Sequence, residues 1–277
     1  MNILVTGANG FLGSNIIKLL SKNINFNFFK GTRDTIDLYS VSDIGKYIKK
    51  NNIDSIIHCA IEGGNRLHQD SIDICYKNIL IYENLIKFNH KLHTFINFGS
   101  GAEFDRRYDI SNVNECDVFD HVPIDPYGFS KNIIAKLSVH YTGSVNLRLF
   151  GCFFHNELPT RFIKNNINNY LNNKPIIIHQ DRYMDFFYME DLISVVEYFL
   201  VNPTNTYKDI NLSYPTKYKL SDIANIINNL SSKKVNIIIE NQIVGNNYCG
   251  NGNILHSLNI KFKGLECGIK ECYNRLI

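Results

Sequence analysis

Ile3-Leu4-Val5-Thr6-Gly7-Ala8-Asn9-Gly10-Phe11-Leu12-Gly13 opens the chain and decides its fold. Three apolar residues read as a buried strand and run straight into glycines spaced Gly-x-x-Gly-x-x-Gly. Phe11 to Leu20 then carries a helical pattern. Glycine is required where a chain turns sharply from strand to helix, where backbone touches a pyrophosphate, and where the helix packs closely on the sheet. The helix start then aims its N–H groups and positive dipole end at phosphates. The stretch predicts a dinucleotide site built from Gly7, Asn9, Gly10, Phe11, Leu12 and Gly13.

The same alternation continues outward. Residues 26–29, 55–58, 94–98 and 145–149 read as strands, and 41–50, 72–88 and 127–142 as helices between them. This is the sign of βαβ units, hence an α/β protein with a doubly wound parallel sheet. After about residue 152 the rhythm loosens into shorter elements. Residues 1–158 and 185–213 are expected to form the dinucleotide-binding domain, with a helix over 192–201 and a strand over 209–212. Residues 159–184 and 214–277 are expected to form a smaller substrate-binding α/β domain.

At 277 residues the chain is long enough for both. A net charge of +3 is too small to point to nucleic acid, and charged or amide residues interrupt every apolar run, which excludes a membrane span. The opening strand leaves no room for a signal peptide, and the seven cysteines form no Cys-x-x-Cys pair. Reduced thiols in a cytoplasmic protein follow, with neither disulfides nor zinc. His140, His155 and His179 lack metal-ligand spacing. The Asn-rich run at 165–169 keeps its apolar period and reads as a solvated helix face.

The residues after the second strand choose the dinucleotide. An acid there accepts from the ribose hydroxyls of NAD, whereas a 2′-phosphate calls for Arg or Lys. Lys30-Gly31-Thr32-Arg33 has the basic pattern and favours NADP(H); Asp34 keeps NAD(H) as the alternative. Further on, Tyr127 and Lys131 stand four apart on a predicted helix and share one face. A phenol is a poor acid at neutral pH, and a nearby ammonium brings its proton transfer into range.

With the glycine turn and this pair, the chain resembles the extended short-chain dehydrogenase/reductases, the group of nucleotide-sugar epimerases, dehydratases and reductases. The resemblance spans nearly the whole length. By it, Asp37-Leu38 is the adenine-contacting segment, Cys59-Ala60 the loop after a central strand, and Asn78 the Asn of the long helix. Lys131 also contacts the nicotinamide ribose. Asn97-Phe98-Gly99-Ser100-Gly101-Ala102-Glu103-Phe104 resembles the strand carrying the catalytic hydroxyl, which is then Ser100, with Phe104 where Tyr is usual. The helices over 72–88 and 127–142 are those that pair in the family's homodimers.

The resemblance also separates chemistries. Dehydratases place Asp-Glu directly after the catalytic hydroxyl; this chain has Gly101-Ala102, and strand alternation turns Glu103 in another direction. Residues 32–38 with Gly63-Gly64 look most like the GDP-fucose synthase group. That group's epimerising Cys falls at Ala102 and its His near Arg161, and neither residue can replace those proton transfers. The expected reaction is NADPH-dependent reduction of a 4-keto (deoxy) sugar nucleotide, with the proton from Tyr127 and no epimerisation or dehydration. The substrate would meet Ser100, Gly101 and Ala102, and Arg161, Arg182 or Lys164 would supply the diphosphate charge that Met184 cannot. A 4-epimerase retaining NAD is the alternative, and a silent dinucleotide-binding regulator a third reading.

Overall fold

A computed structural model defines the fold and describes residues 1–64, 70–203 and 206–277. In chain order the strands are β1 (Asn2–Thr6), β2 (Asn27–Gly31), β3 (Ser55–His58), β4 (Thr94–Ser100), β5 (Ile110–Val113), β6 (Ser144–Leu149), β7 (Cys152–Phe153), β8 (Ile176–Gln180), β9 (Phe187–Tyr188), β10 (Asp209–Leu212), β11 (Ile237–Asn241) and β12 (Tyr248–Gly250). The helices are α1 (Phe11–Leu20), α2 (Val41–Asn51), α3 (Ile72–Ile86), α4 (Pro126–Ser138), α5 (Phe162–Leu171), α6 (Met189–Val201), α7 (Leu220–Asn228), α8 (Asn253–Ser257) and α9 (Gly264–Asn274).

The chain divides into two compact units. The first comprises 1–105, 115–148 and 193–211, and the second 106–114, 149–192 and 212–277. The short segment carrying β5 groups with the second unit because β5 pairs with β12; the first unit then ends at 148 against the expected 158 and resumes over 193–211 against the expected 185–213.

The first unit is a six-stranded sheet in the order β10-β6-β4-β3-β1-β2, parallel through β2, β1, β3 and β4. The strand order reverses between β1 and β3, and the carboxyl ends flanking such a reversal form the ligand crevice of an α/β sheet. Leu4, Ile56 and Phe95 face α2 and α3 through Ile44, Ile48, Ile81, Tyr82 and Leu85, all buried. The Ser40 hydroxyl caps α2 by accepting the Asp43 N–H, and Asn52 closes it in the left-handed conformation.

Several boundaries differ from expectation, among them the end of α3 at Ile86 and the start of α6 at Met189. β2 starts one residue late, because Phe26 is held in a turn by Asn23, and runs to Gly31 opposite Thr6. β4 continues to Ser100. α4 stops at Ser138, whose hydroxyl bonds back to the Ala135 carbonyl, and the chain tightens through His140 and Tyr141 to Gly143 in the left-handed region.

The second unit holds the two-stranded parallel pairs β7–β9, β8–β11 and β12–β5. Buried Asp185 accepts from the Gly250 N–H, the Ser213 hydroxyl and Lys217. Met184 is 7% exposed, so a thioether suits it where the resemblance expects Arg. Among the described residues, no helix is long and apolar enough to cross a membrane.

Gly7 sits at φ +64°, and a Cβ there would lie 2.7 Å from the Ala60 nitrogen and 2.8 Å from the Cys59 carbonyl carbon. Gly7→Ala should therefore cost about 2–4 kcal/mol, the sum of a left-handed residue and an overpacked contact. Urea unfolding measures it, with Ser14→Ala on exposed α1 surface as the control expected to change little.

Candidate active site

Every proposed catalytic residue lies in the first unit, at the carboxyl end of its sheet. Ser100 ends β4 and opens a 3-10 turn over Gly101–Phe104. Its hydroxyl oxygen accepts the Ala102 N–H at 3.2 Å, while its own N–H is donated to Glu103 Oε1 at 2.8 Å. The hydroxyl keeps its own proton for donation, since this bond uses only a lone pair of the oxygen. Gly101 and Ala102 are buried.

Tyr127 and Lys131 arrive on the first two turns of α4. Pro126 stands at its first helical position, and the Asp125 carboxylate caps it by accepting the Gly128 N–H at 2.8 Å. The helix start lies directly on the Ser100 turn: a Cβ on Gly128 would come within 2.8 Å of the Ala102 carbonyl oxygen. Buried Asn132 extends the attachment, its amide donating to the Glu103 carbonyl at 2.8 Å and also to those of Val118 and His121. Ser100, Tyr127 and Lys131 are thus set by one joint between β4 and α4. On the other side the Tyr127 ring lies against Gly64, where a Cβ would be 2.8 Å from Cε2.

Asn78 organises that second side. Its side chain both accepts from the Glu62 N–H and donates to the Glu62 carbonyl, and it also donates to the Ser130 hydroxyl. Ser130 donates in turn to the Tyr127 carbonyl. One buried amide therefore aligns the loop after β3 with the helix carrying the acid.

Lys131 is buried and donates to the Phe98 carbonyl at 2.6 Å. Burial pushes its ammonium down to about 8, with Glu103 and Cys59 opposing. Burial, then the Lys131 charge, pushes neighbouring His58 down to about 3, so it is neutral at physiological pH. It shares a 2.8 Å hydrogen bond with Thr6, and Thr6 also accepts the Ala60 N–H. That pair ties the glycine turn to Cys59-Ala60 and acts as structure.

The glycine turn follows β1 and faces the β3 end. Gly10 caps α1 without any side chain, and a Cβ on Gly13 would lie 2.6 Å from the Gly7 carbonyl oxygen. Asn9 and Gly10 are exposed there, with Phe11 and Leu12 half-buried. This bare, glycine-shaped helix start fits a pyrophosphate. Asp37 is exposed, and the Leu38 carbonyl is held by Asn84. Lys30 points out of β2, and exposed Arg33 pairs with Glu62 at 2.7 Å. Lys46 and Lys50 on α2 line the same depression as Arg33, Asp34 and Asp37, which the sequence reading had not included.

Residues 3–213 match the NAD dependent epimerase/dehydratase family. The chain belongs to that family. As an extended short-chain dehydrogenase/reductase it has the Rossmann sheet described above and uses a nicotinamide dinucleotide. It is similar to MlghC, a GDP-mannoheptose C4 reductase from Campylobacter jejuni with NADP bound, at TM-score 0.81 and 19% identity over 99% of this chain and 97% of the other. It is equally similar to a UDP-N-acetylglucosamine 4-epimerase from Bacillus cereus, at TM-score 0.81 and 19% identity over 100% and 99%. In sequence it is 24% identical to YtcB of Bacillus subtilis, named an uncharacterized UDP-glucose epimerase, over 88% of this chain and 87% of that one. At these identities the solved structures establish the fold.

In the second unit, Arg161 is exposed at the N-cap of α5, and Arg182 is half-buried with its Nε lacking a hydrogen-bond partner. Sequence reasoning turned Glu103 the wrong way and missed Arg148 and Asp209; the three lie together beneath Ser100, Glu103 and Arg148 without solvent access and Asp209 nearly so.

A buried ammonium depressed from 10.5 to about 8 costs the folded state on the order of 3 kcal/mol below pH 8. The unfolded chain binds the extra proton between pH 8 and 10.5, so that cost disappears as pH rises through this window. Lys131→Met should raise the melting temperature at pH 7, with the gain shrinking towards pH 10. Thermal melts across pH measure it.

Proposed function

We propose that the protein is an NADPH-dependent 4-ketoreductase of sugar nucleotides that neither epimerises nor dehydrates. The observation carrying this reading is the Ser100 turn. It presents one hydroxyl beside the Tyr127–Lys131 helix, and position 102, where an epimerising thiol would stand, is a buried alanine. The full-length likeness to the Campylobacter C4 reductase is matched by that to the Bacillus cereus 4-epimerase, so the turn carries the reading.

Gly7, Asn9, Gly10, Phe11, Leu12 and Gly13 would hold the pyrophosphate, Asp37 and Leu38 the adenosine, and Cys59, Ala60, Asn78 and Lys131 the nicotinamide half. When bound, the cofactor supplies hydride to the keto carbon. Ser100 donates a hydrogen bond to the keto oxygen. Tyr127 transfers its phenolic proton to that oxygen as charge develops there, and the Lys131 ammonium stabilises the phenolate left behind. Arg161 and Arg182 are the candidates for the substrate diphosphate. The Lys46, Lys50 and Arg33 group favours the 2′-phosphate of NADPH.

The Arg33–Glu62 ion pair favours the second reading, a 4-epimerase retaining NAD, because a 2′-phosphate must displace Glu62. Analysis of released cofactor separates the two: stoichiometric NAD without net NADPH consumption supports the epimerase. We also place the protein in the cytoplasm, on its seven free cysteines, as a homodimer through α3 and α4, where Ile72 and Tyr76 are exposed.

Incubation with NADPH and 4-keto-6-deoxy sugars on GDP, dTDP, UDP and CDP should give NADPH loss with at least one substrate. Tyr127→Phe should lower kcat by about 10²–10⁴-fold, the value of a positioned acid. A near-normal rate in that variant would overturn the mechanism.

A further inference from the structure

Arg148 is fully buried on β6, with its guanidinium 4.7 Å from the centre of the Phe104 ring. Nε donates to Glu103 Oε2 at 2.5 Å, Nη1 to Asn211 Oδ1 at 2.9 Å, and Nη2 to the Asp209 carboxylate. Asn146 donates to the second Asp209 oxygen, and Asn97 donates to Asn146 at 2.6 Å. The residues come from β4, β6 and β10, neighbours in the sheet, and from the turn after β4. The space is filled to contact: a Cβ on Gly99 would lie 2.5 Å from Glu103 Oε1 and 2.6 Å from Asn146 Nδ2.

Glu103 is the member that reaches the site. One carboxylate oxygen is fixed by Arg148, and the other receives the Ser100 N–H. A Ser-x-x-Glu capping box on a surface turn is a local and mobile feature. Here its Glu end is anchored across three strands in the protein interior. We propose that the Glu103–Arg148–Asp209 array is a positioning device that holds the Ser100 turn in register with Tyr127. Glu103 acts through the Ser100 backbone and touches no substrate. This inference rests on Ser100 being the hydroxyl that meets the keto oxygen.

Removal of one partner alone would strand a buried charge and threaten folding. The test is therefore the combined exchange Glu103→Leu, Arg148→Met and Asp209→Asn, which replaces the buried charges with groups of similar volume. Its melting temperature should stay at or above the wild-type value. Amide exchange at Ser100 should accelerate at least about tenfold, because the N–H loses its acceptor. kcat should fall about 10–100-fold with substrate KM and NADPH Kd within about threefold, the signature of a misplaced group. Glu103→Asp is the second variant. It keeps a carboxylate for Arg148 but is one methylene too short to serve both partners, and it should shift exchange and kcat in the same direction. Unchanged Ser100 exchange or unchanged kcat in a folded variant overturns the proposal. If the wild-type protein reduces no 4-keto sugar nucleotide, the reductase reading fails, and the exchange measurement alone decides positioning.

Discussion

A guanidinium without access to water must be neutralised where it sits, and Arg148 imposes that constraint on the carboxyl end of this sheet. Its carboxylates come from opposite directions, Asp209 along the next strand and Glu103 back from the turn after β4. Burial raises both carboxyls, the guanidinium between them opposes this, and Arg148 is held firmly protonated. Such an array gives little net stability, because desolvation consumes most of the Coulomb gain. It does fix geometry, since none of its members can turn away without stranding a charge. The Ser100 turn and the α4 start lying on it inherit that geometry.

The sheet and the glycine turn were legible because both are periodic or local. Apolar runs separated by helical patterns give the strand and helix sequence, and a glycine at φ +64° facing another strand's loop is where a motif and a steric constraint coincide. At the joint between β4 and α4 the sequence singled out Ser100, Tyr127, Lys131 and Asn78, but not the other residues that hold them. Asn132, Asp125 and Ser130 are ordinary polar residues on an amphipathic helix until the carbonyls they meet are known.

Glu103 shows why. Alternation along a strand turns residue 103 away from 100 only while the chain remains a strand, but β4 ends at Ser100. In the 3-10 turn that follows, residues three apart eclipse, so Glu103 folds back beneath Ser100. The available signal lay in the strands themselves. Asn146 and Arg148 alternate with Val145, Leu147 and Leu149 and read as a solvent face, yet β6 lies between β4 and β10 in the sheet. Polar residues on an interior strand require partners, and Asn97, Asp209 and Asn211 on its neighbours provide them.

These contacts also connect the architecture to the kind of chemistry the turn can host. A turn that must return Glu103 to Arg148 keeps Gly101 and Ala102 buried and packs the Ala102 carbonyl under Gly128. The methyl side chain at position 102 brings no ionisable group to this contact. The carboxylate of the turn belongs to Glu103 and is turned inward onto Arg148. Under the proposed reductase reading, the Ser100 hydroxyl and the Tyr127 phenol suffice for a single protonation at oxygen.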